Sequence, residues 1–176
     1  MFIENHQFRI NEFMRKAGQE LPPSPCIPSE EIRLLRAKLI LEEAFETVAG
    51  LGVAVMLRLE QAKIINDGEV PCQQVLFADC ELIISGECDI LEVADGCADI
   101  SVVTIGTLSA FGIRADSVVA EVDCANLRKF GPGGYRREDG KWIKPSNWQP
   151  PNILRQLQLQ GYTPTEENGS SSEAVN

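Results

Sequence analysis

The sequence predicts a mainly helical protein, a bundle of four to five helices with a small inserted hairpin and a second hairpin near the C-terminus. Three observations support this fold class. Apolar residues recur at helical spacing over residues 3–17, the segments 39–56 and 91–113 are largely apolar without lysine or arginine, and Gly18, Gly50 and Gly112 mark the ends of the helices predicted there. The 176 residues, 44% of them hydrophobic, suffice to bury a core.

The predicted core consists of four helices with recognisable start and stop signals. Ser29 precedes two glutamates, which is typical of a helix start because its hydroxyl can cap free N–H groups and acidic residues favour the positive helix end. Asp116 is expected to cap the fourth helix in the same way. The predicted core helices span residues 3–17, 30 to about 50, 91–111 and 116–130.

Two hairpins are expected between and after these helices. Residues 63–89 contain the turn signal Asp67-Gly68 and runs of β-favouring residues, which predict a hairpin inserted between the second and third helices. Residues 135–143 predict another, because Asp139-Gly140 suits a type I′ turn. A short helical stretch follows at 152–160.

Composition excludes several classes of protein. The net charge of -10 and a pI near 4.6 argue against partners such as nucleic acid or an anionic membrane, and no uncharged apolar run has the length of a membrane span. Six cysteines without a C-x-x-C pair, with a single histidine, argue against structural zinc. We expect reduced thiols, a cytoplasmic location, one domain over 1–162 and a disordered polar tail over 163–176.

Two groups of carboxylates lie at helical spacing in the apolar segments. Spacings of three and four residues place each group on one side of its helix. Leu35 and Leu39 continue the first stripe, and Val103 and Ala110 continue the second, which indicates that both stripes become buried along their helices. The carboxylates are Glu42, Glu43 and Glu46 in the first group and Glu92, Asp95 and Asp99 in the second.

Such carboxylates repel one another and lose hydration at the edge of a core, unless a cation neutralises them. An all-carboxylate site suits Mg²⁺, with Mn²⁺ as an alternative ion, better than Zn²⁺. A di-iron bundle site needs two histidines, and the chain has only His6. The pattern therefore favours a magnesium site, with a solvated acidic face or the rim of a dimer interface as the competing interpretations.

Four segments in order resemble the signature of an enzyme superfamily. Residues 36–46, Arg-Ala-Lys-Leu-Ile-Leu-Glu-Glu-Ala-Phe-Glu, and residues 92–99, Glu-Val-Ala-Asp-Gly-Cys-Ala-Asp, resemble the E-E-x-x-E and E-x-x-D motifs of the all-α nucleoside triphosphate pyrophosphohydrolases. That superfamily includes MazG-like and phosphoribosyl-ATP pyrophosphohydrolase-like proteins. Residues 121–129 and 139–145 resemble its E-V-x-x-x-N-x-x-K and D-G-K-x-x-K-P segments. The segment between the first two motifs is longer than is usual in the family, and an inserted hairpin would let the two helices still pair.

The resemblance implies Mg²⁺-dependent cleavage of a nucleotide at its α–β phosphate bond, giving a monophosphate and pyrophosphate. Glu42 is the implied residue that orients or deprotonates the attacking water. Asp99 lies outside the motif and is either a hydrogen-bonding neighbour of the ligands or a buried polar residue. The implied metal ligands are Glu43, Glu46, Glu92 and Asp95. The implied substrate-binding residues are Arg36, Asn126, Lys129, Lys141 and Lys144.

Other interpretations stay open at this point. The basic residues near the glycines at 131–134 form either a lid over phosphates or the ordinary charges of an exposed hairpin. Trp142, Trp148 and Tyr135 either pack against the bundle, which we expect, or stack on a base. The family implies a homodimer or a dimer of dimers. The alternative function is a non-catalytic helical module that binds nucleotide or metal.

Overall fold

The computed structural model describes residues 2–57, 80–138 and 140–164, and this part of the chain is mainly helical, as predicted. In these described ranges, two short antiparallel sheets accompany five helices. The helices are α1 (Phe2–Lys16), α2 (Glu30–Gly50), α3 (Ile90–Ala110), α4 (Ala115–Arg128) and α5 (Ile153–Gln158). The strands are β1 (Val53–Leu57), β2 (Cys80–Ile84), β3 (Tyr135–Arg136) and β4 (Trp142–Ile143).

The chain divides into two compact units. The first contains Met1–Ile32 and Ile105–Asn176, and the second contains Arg33–Thr104. Each unit is described by itself below. Within the described ranges no single helix is long and apolar enough to cross a membrane, although the bent pair formed by α3 and α4 passes that test when its two helices are taken together.

The second unit holds most of α2, the β1–β2 hairpin and most of α3. Strands β1 and β2 pair antiparallel, with Val53 opposite Ile84 and Leu57 opposite Cys80. The hairpin thus begins at Val53, so the predicted start at residue 63 is wrong. The reason is local: α2 ends at Gly50, Gly52 turns the chain at φ +72°, and β-branched residues follow at once. The predicted turn at Asp67-Gly68 lies outside the described residues.

The first unit is centred on α1, α4 and the end of α3. Its small core contains Ile10, Met14, Ala115 and Ala125, each at most 6% exposed. The linker after α1 contacts the turn that follows α3, since the backbone N–H of Cys26 donates to the carbonyl of Phe111 over 3.0 Å. An ordered linker follows from this contact.

The start of α4 is held by a side chain from α1. Gln7 is 9% exposed, and its Oε1 accepts a hydrogen bond from the backbone N–H of Ala115 at 2.9 Å. Its Nε2 donates to the carbonyl of Ile113 at 2.8 Å and to Ser109 Oγ at 2.9 Å. One buried amide therefore satisfies polar groups on both sides of the turn between α3 and α4.

Gln160 completes this capping from the other end of the chain. Its Oε1 accepts from the N–H of Arg114 at 2.7 Å, and its Nε2 donates to the Arg114 carbonyl and to Ser117 Oγ. The N-cap residue of α4 is Arg114, without a side-chain cap of its own. The prediction that Asp116 caps this helix is therefore wrong, because distant glutamines supply the acceptors.

The C-terminal hairpin forms, with Tyr135 opposite Ile143 and Arg136 opposite Trp142. The N–H of Arg137 donates to the Lys141 carbonyl at 2.8 Å, and Gly140 has φ +86°. Three residues thus separate this last pair, so the predicted two-residue type I′ turn is wrong. Three-residue hairpin loops commonly end on a glycine of positive φ. Asp139 lies outside the described residues.

Candidate active site

The predicted acidic positions all lie in the second unit. Glu42, Glu43 and Glu46 are on α2, and Glu92, Asp95 and Asp99 are on α3. Glu43 and Asp99 are partly buried, and the other four are exposed.

Helices α2 and α3 meet at two glycines. A Cβ placed on Gly96 would collide with Thr47 Oγ1 and would stand 3.0 Å from both the Cα and the Cβ of Thr47. A Cβ placed on Gly50 would stand 3.0 Å from the Cβ of Glu92. The position on α3 falls as the position on α2 rises, so the helices run antiparallel here. The residues beside these contacts are the predicted acidic positions.

The electrostatics of Glu43 support this register. Its pKa is raised, first by burial and then by the negative charges of Asp99, Glu46, Glu42 and Asp95. Two of these four charges belong to α3, so the carboxylate of Glu43 senses the acidic group of the neighbouring helix. The two stripes therefore form one region of negative potential.

A cleft of about 400 Å³ lies at the end of this region. Glu46 and Glu92 line it together with Glu87 and Asp89, two carboxylates that the sequence analysis did not include. Asp89 also caps α3, because its Oδ1 accepts from the N–H of Leu91 at 2.9 Å. An aspartate directly before a predicted helix is a capping signal that could have identified it.

The donor set fits a hard divalent cation by its chemistry, because it consists of carboxylate oxygens without sulfur or imidazole. Across residues 2–57, 80–138 and 140–164, however, no three His, Cys, Asp or Glu side chains stand close enough to hold a metal ion. Glu42 instead pairs with Lys38 at 3.4 Å, with both side chains largely exposed. Lys38 lies one residue before the apolar segment, so the charge pattern of residues 39–56 does not reveal this partner.

Three of the predicted substrate-binding residues gather in the first unit. The ammonium of Lys129 donates to Asn126 Oδ1 at 2.7 Å, and Lys144 Nζ lies 3.8 Å from the centre of the Trp148 ring. Lys129 Nζ lies 6.0 Å from the same ring. Trp148 itself is fixed by a hydrogen bond from its Nε1 to the Ala125 carbonyl at 2.8 Å.

The remaining two predicted substrate-binding residues lie elsewhere. Lys141 is exposed on the C-terminal hairpin of the first unit. Arg36 is on α2 in the second unit, where it is only 6% exposed and burial lowers the pKa of its guanidinium.

The expected packing of the tryptophans is confirmed. Trp142 is half-buried, its Nε1 donates to the Lys129 carbonyl, and its ring centre lies 4.8 Å from that of Phe130. Tyr135, by contrast, is 58% exposed. Trp148 packs against α4 through its hydrogen bond to Ala125.

A match to a pyrophosphohydrolase family model places this helical chain in the class of hydrolases that act on phosphoric anhydrides. The family model for phosphoribosyl-ATP pyrophosphohydrolase matches residues 10–126, and the chain belongs to this family, within the MazG-like superfamily. The matched region contains all six acidic positions. No curated protein matches the sequence closely enough to count as a relative.

Proposed function

We propose that the protein is a Mg²⁺-dependent nucleoside triphosphate pyrophosphohydrolase that cleaves the bond between the α and β phosphates. Water adds across this anhydride, and the products are a nucleoside monophosphate and pyrophosphate. The observation that carries the proposal is the contact of Gly96 with Thr47, because it brings the two acidic stripes onto facing parts of α2 and α3. Membership of a pyrophosphohydrolase family supports the reaction type.

In this proposal Glu43, Glu46, Glu92 and Asp95 hold Mg²⁺, and Mn²⁺ can replace it. When bound, the cation would neutralise the phosphates, lower the pKa of water and stabilise charge that develops in the transition state. To hold a cation, the carboxylates must converge further than they do among the described residues. Glutamate side chains have the rotamer freedom for this, and Glu46 and Glu92 already line a common cleft.

Glu42 is proposed to orient the attacking water and to accept its proton. Both side chains of its ion pair with Lys38 are exposed, so the pair contributes little to stability and opens readily in water. Asp99 is proposed to act beside the ligands, since it raises the pKa of Glu43 more than any of the other three neighbouring charges does. Its role is to position the Glu43 carboxylate rather than to contact substrate.

Asn126, Lys129, Lys141, Lys144 and Arg36 are proposed to bind the substrate. Lys129 and Lys144 suit phosphate oxygens, because neither has a carboxylate partner among the described residues and Trp148 holds the Lys144 ammonium in place. Arg36 is the weakest member of this set. It is buried, so it reaches a substrate only through a rearrangement of the second unit.

The test is the release of pyrophosphate and of orthophosphate from a panel of NTPs and dNTPs with Mg²⁺ or Mn²⁺. The parent protein should release pyrophosphate, Glu46→Gln should lose at least a hundredfold in rate, and Glu12→Gln, an exposed glutamate of α1, should behave as the parent. Orthophosphate as the only product would refute cleavage at the α–β bond. Equal rates in Glu46→Gln and parent would refute the carboxylate site.

We also propose that the protein forms a homodimer or a dimer of dimers. Many large apolar side chains are exposed in the single chain, among them Phe13 at 65%, Leu34 at 64% and Leu41 at 56%. Such surface is typical of an interface between subunits. Light scattering coupled to size exclusion should give at least twice the mass of one chain, and a monomer at micromolar concentration would contradict the proposal.

A further inference from the structure

The first unit contains a pocket of about 610 Å³ that shares no residue with the carboxylate region of the second unit. Helix α1, the linker that follows it and the turn between α3 and α4 form its walls. Pockets that bind small molecules have volumes of about 300–1,000 Å³, so this one has room for a metabolite.

Positive charge is concentrated at this pocket. Arg15, in the last turn of α1, and Arg114, directly before α4, both line it. Neither guanidinium pairs with a carboxylate within the described ranges. Asp116 also lines the pocket, which leaves one formal positive charge in excess in a chain of net charge -10. Within the described ranges these two arginines have no carboxylate partner, so the pocket carries positive charge that favours an anion.

The backbone that carries Arg114 is fixed. Its N–H and its carbonyl are both bonded to the amide of Gln160, at 2.7 and 3.1 Å. On the other side of the turn, Gln7 holds Ile113 and Ala115. The backbone of Arg114 is therefore already ordered before an anion binds, which lowers the entropy lost on binding.

Part of the remaining wall is apolar, and Gln7, Asn11, Ser109 and Ser117 add polar side chains to it. Phe8 lines it with a side chain that is 61% exposed, and Leu21, Pro22 and Ile113 lie around it. An exposed aromatic ring in a pocket that two guanidinium groups also line suits a ligand with a flat ring and an anionic group.

We propose that this pocket binds a mononucleotide, with its phosphate monoester on Arg15 and Arg114 and its base against Phe8. Guanidinium groups bind phosphate oxygens through paired, charge-assisted hydrogen bonds, and a neutral ligand offers no anionic oxygen for such bonds. The choice of a nucleotide rests on the proposed function, whose product is a nucleoside monophosphate. The protein thus has a second nucleotide site at which its own product binds without a divalent cation.

The experiment is calorimetric titration of the intact protein in EDTA with AMP, UMP, adenosine and inorganic phosphate. EDTA removes the cation that the carboxylates of the second unit need to hold a nucleotide. Both nucleotides should bind, and adenosine and inorganic phosphate should each bind more weakly than AMP. Arg15→Met and Arg114→Met should each weaken AMP binding about tenfold. Phe8→Ala should weaken AMP binding and leave inorganic phosphate unchanged.

Arg9→Met is the matched control, because Arg9 is exposed on the same helix and does not line the pocket. It should bind AMP as the parent does, and so should Glu46→Gln. Circular dichroism verifies that each variant is folded. No nucleotide binding in EDTA, or AMP binding by both pocket arginine variants as tight as that of the parent, would overturn the proposal, as would a loss in Glu46→Gln alone. Pyrophosphate release with Mg²⁺ tests the proposed function separately, so each proposal can fail while the other stands.

Discussion

Gly96 lies where α3 contacts α2, so Gly96→Ala tests whether close approach of the two acidic helices is needed for stability and activity. The added methyl group would meet Thr47, which is only 6% exposed. Rotation of the Thr47 side chain can move Oγ1 away, but the Cα of Thr47 at 3.0 Å belongs to the backbone. The helices must therefore separate by several tenths of an ångström.

Two opposing contributions determine the size of the effect. Overpacking in a well-packed contact costs about 1–3 kcal/mol. Replacement of glycine by alanine inside a helix recovers about 1 kcal/mol. Because a backbone atom takes part in the clash, the cost lies in the upper half of its range, and the net loss in the free energy of unfolding is about 1–2 kcal/mol. For a chain of this length that lowers the Tm by roughly 2–8 °C.

The assay is thermal unfolding of Gly96→Ala beside Gly86→Ala, together with pyrophosphate release well below the Tm of either variant. A Cβ on Gly86 would meet nothing within 4 Å, so Gly86→Ala makes the same chemical change without the clash. Gly86→Ala should match the parent in activity, and Gly96→Ala should lose activity even while folded, since the helices that carry the proposed ligands have shifted. A Gly96→Ala protein with unchanged Tm and activity would refute the argument.

Two further predictions concern the first unit. Gln7→Ala should lower the free energy of unfolding by about 2–3 kcal/mol, because it leaves the Ala115 N–H and the Ile113 carbonyl without their partner, whereas Gln149→Ala, an exposed control, should have no effect in urea unfolding. Equal urea midpoints would contradict this. The Glu121 pKa is lowered, mainly by the hydrogen bond from the Asn152 N–H and then by Arg128, so the carboxylate stabilises the folded state above its ordinary pKa of 4.5 and loses this effect as the pH falls through the lower folded value. Glu121→Gln should therefore be less stable than the parent at pH 7 and equal to it in strong acid, and a difference that persists at low pH would contradict the cause.

The helices could be predicted from the sequence because their signals are local. Ser29 accepts a hydrogen bond from the Ile32 N–H as expected, and the observed ends of α2 and α3 lie within one residue of the predicted ones. The cap of α4 could not be predicted, because Gln7 lies 108 residues away from Ala115, whose N–H donates the hydrogen bond that Gln7 accepts. Sequence spacing reveals a cap only when donor and acceptor are neighbours in the chain.

The acidic region, too, could be predicted only in part from the sequence. Helical spacing identified each stripe, since residues three and four apart share a face. The pairing of the stripes depends on contacts such as that between Thr47 and Gly96, which no periodicity describes. A glycine within a helical pattern is nevertheless a signal of close packing, and Gly96 lies between two of the carboxylates. Lys38 and Glu87 were missed because both lie outside the apolar segments.

The acidic region that the proposed function needs also lowers the stability of the folded chain when no cation is bound. Burial and the charges of Asp99, Glu46, Glu42 and Asp95 raise the pKa of Glu43, so its ionisation destabilises the fold as the pH rises above 4.5 through the raised value. Glu43→Gln should then be more stable than the parent at pH 7 in EDTA, and this difference should vanish in acid.

Magnesium should reverse the order of stability, so that the parent becomes more stable than Glu43→Gln. A cation that binds only the folded state adds about 2.7 kcal/mol at a concentration one hundred times its Kd, and Glu43→Gln, which lacks one of the proposed ligands, should gain much less. Thermal unfolding at pH 7 with EDTA and with excess MgCl₂ measures both effects, with Glu12→Gln as the control for a lost surface charge. If the parent and Glu43→Gln gained equally from Mg²⁺, Glu43 would not be a ligand. If Glu43→Gln were the less stable protein in EDTA, repulsion among the carboxylates would not be the force that a bound cation relieves.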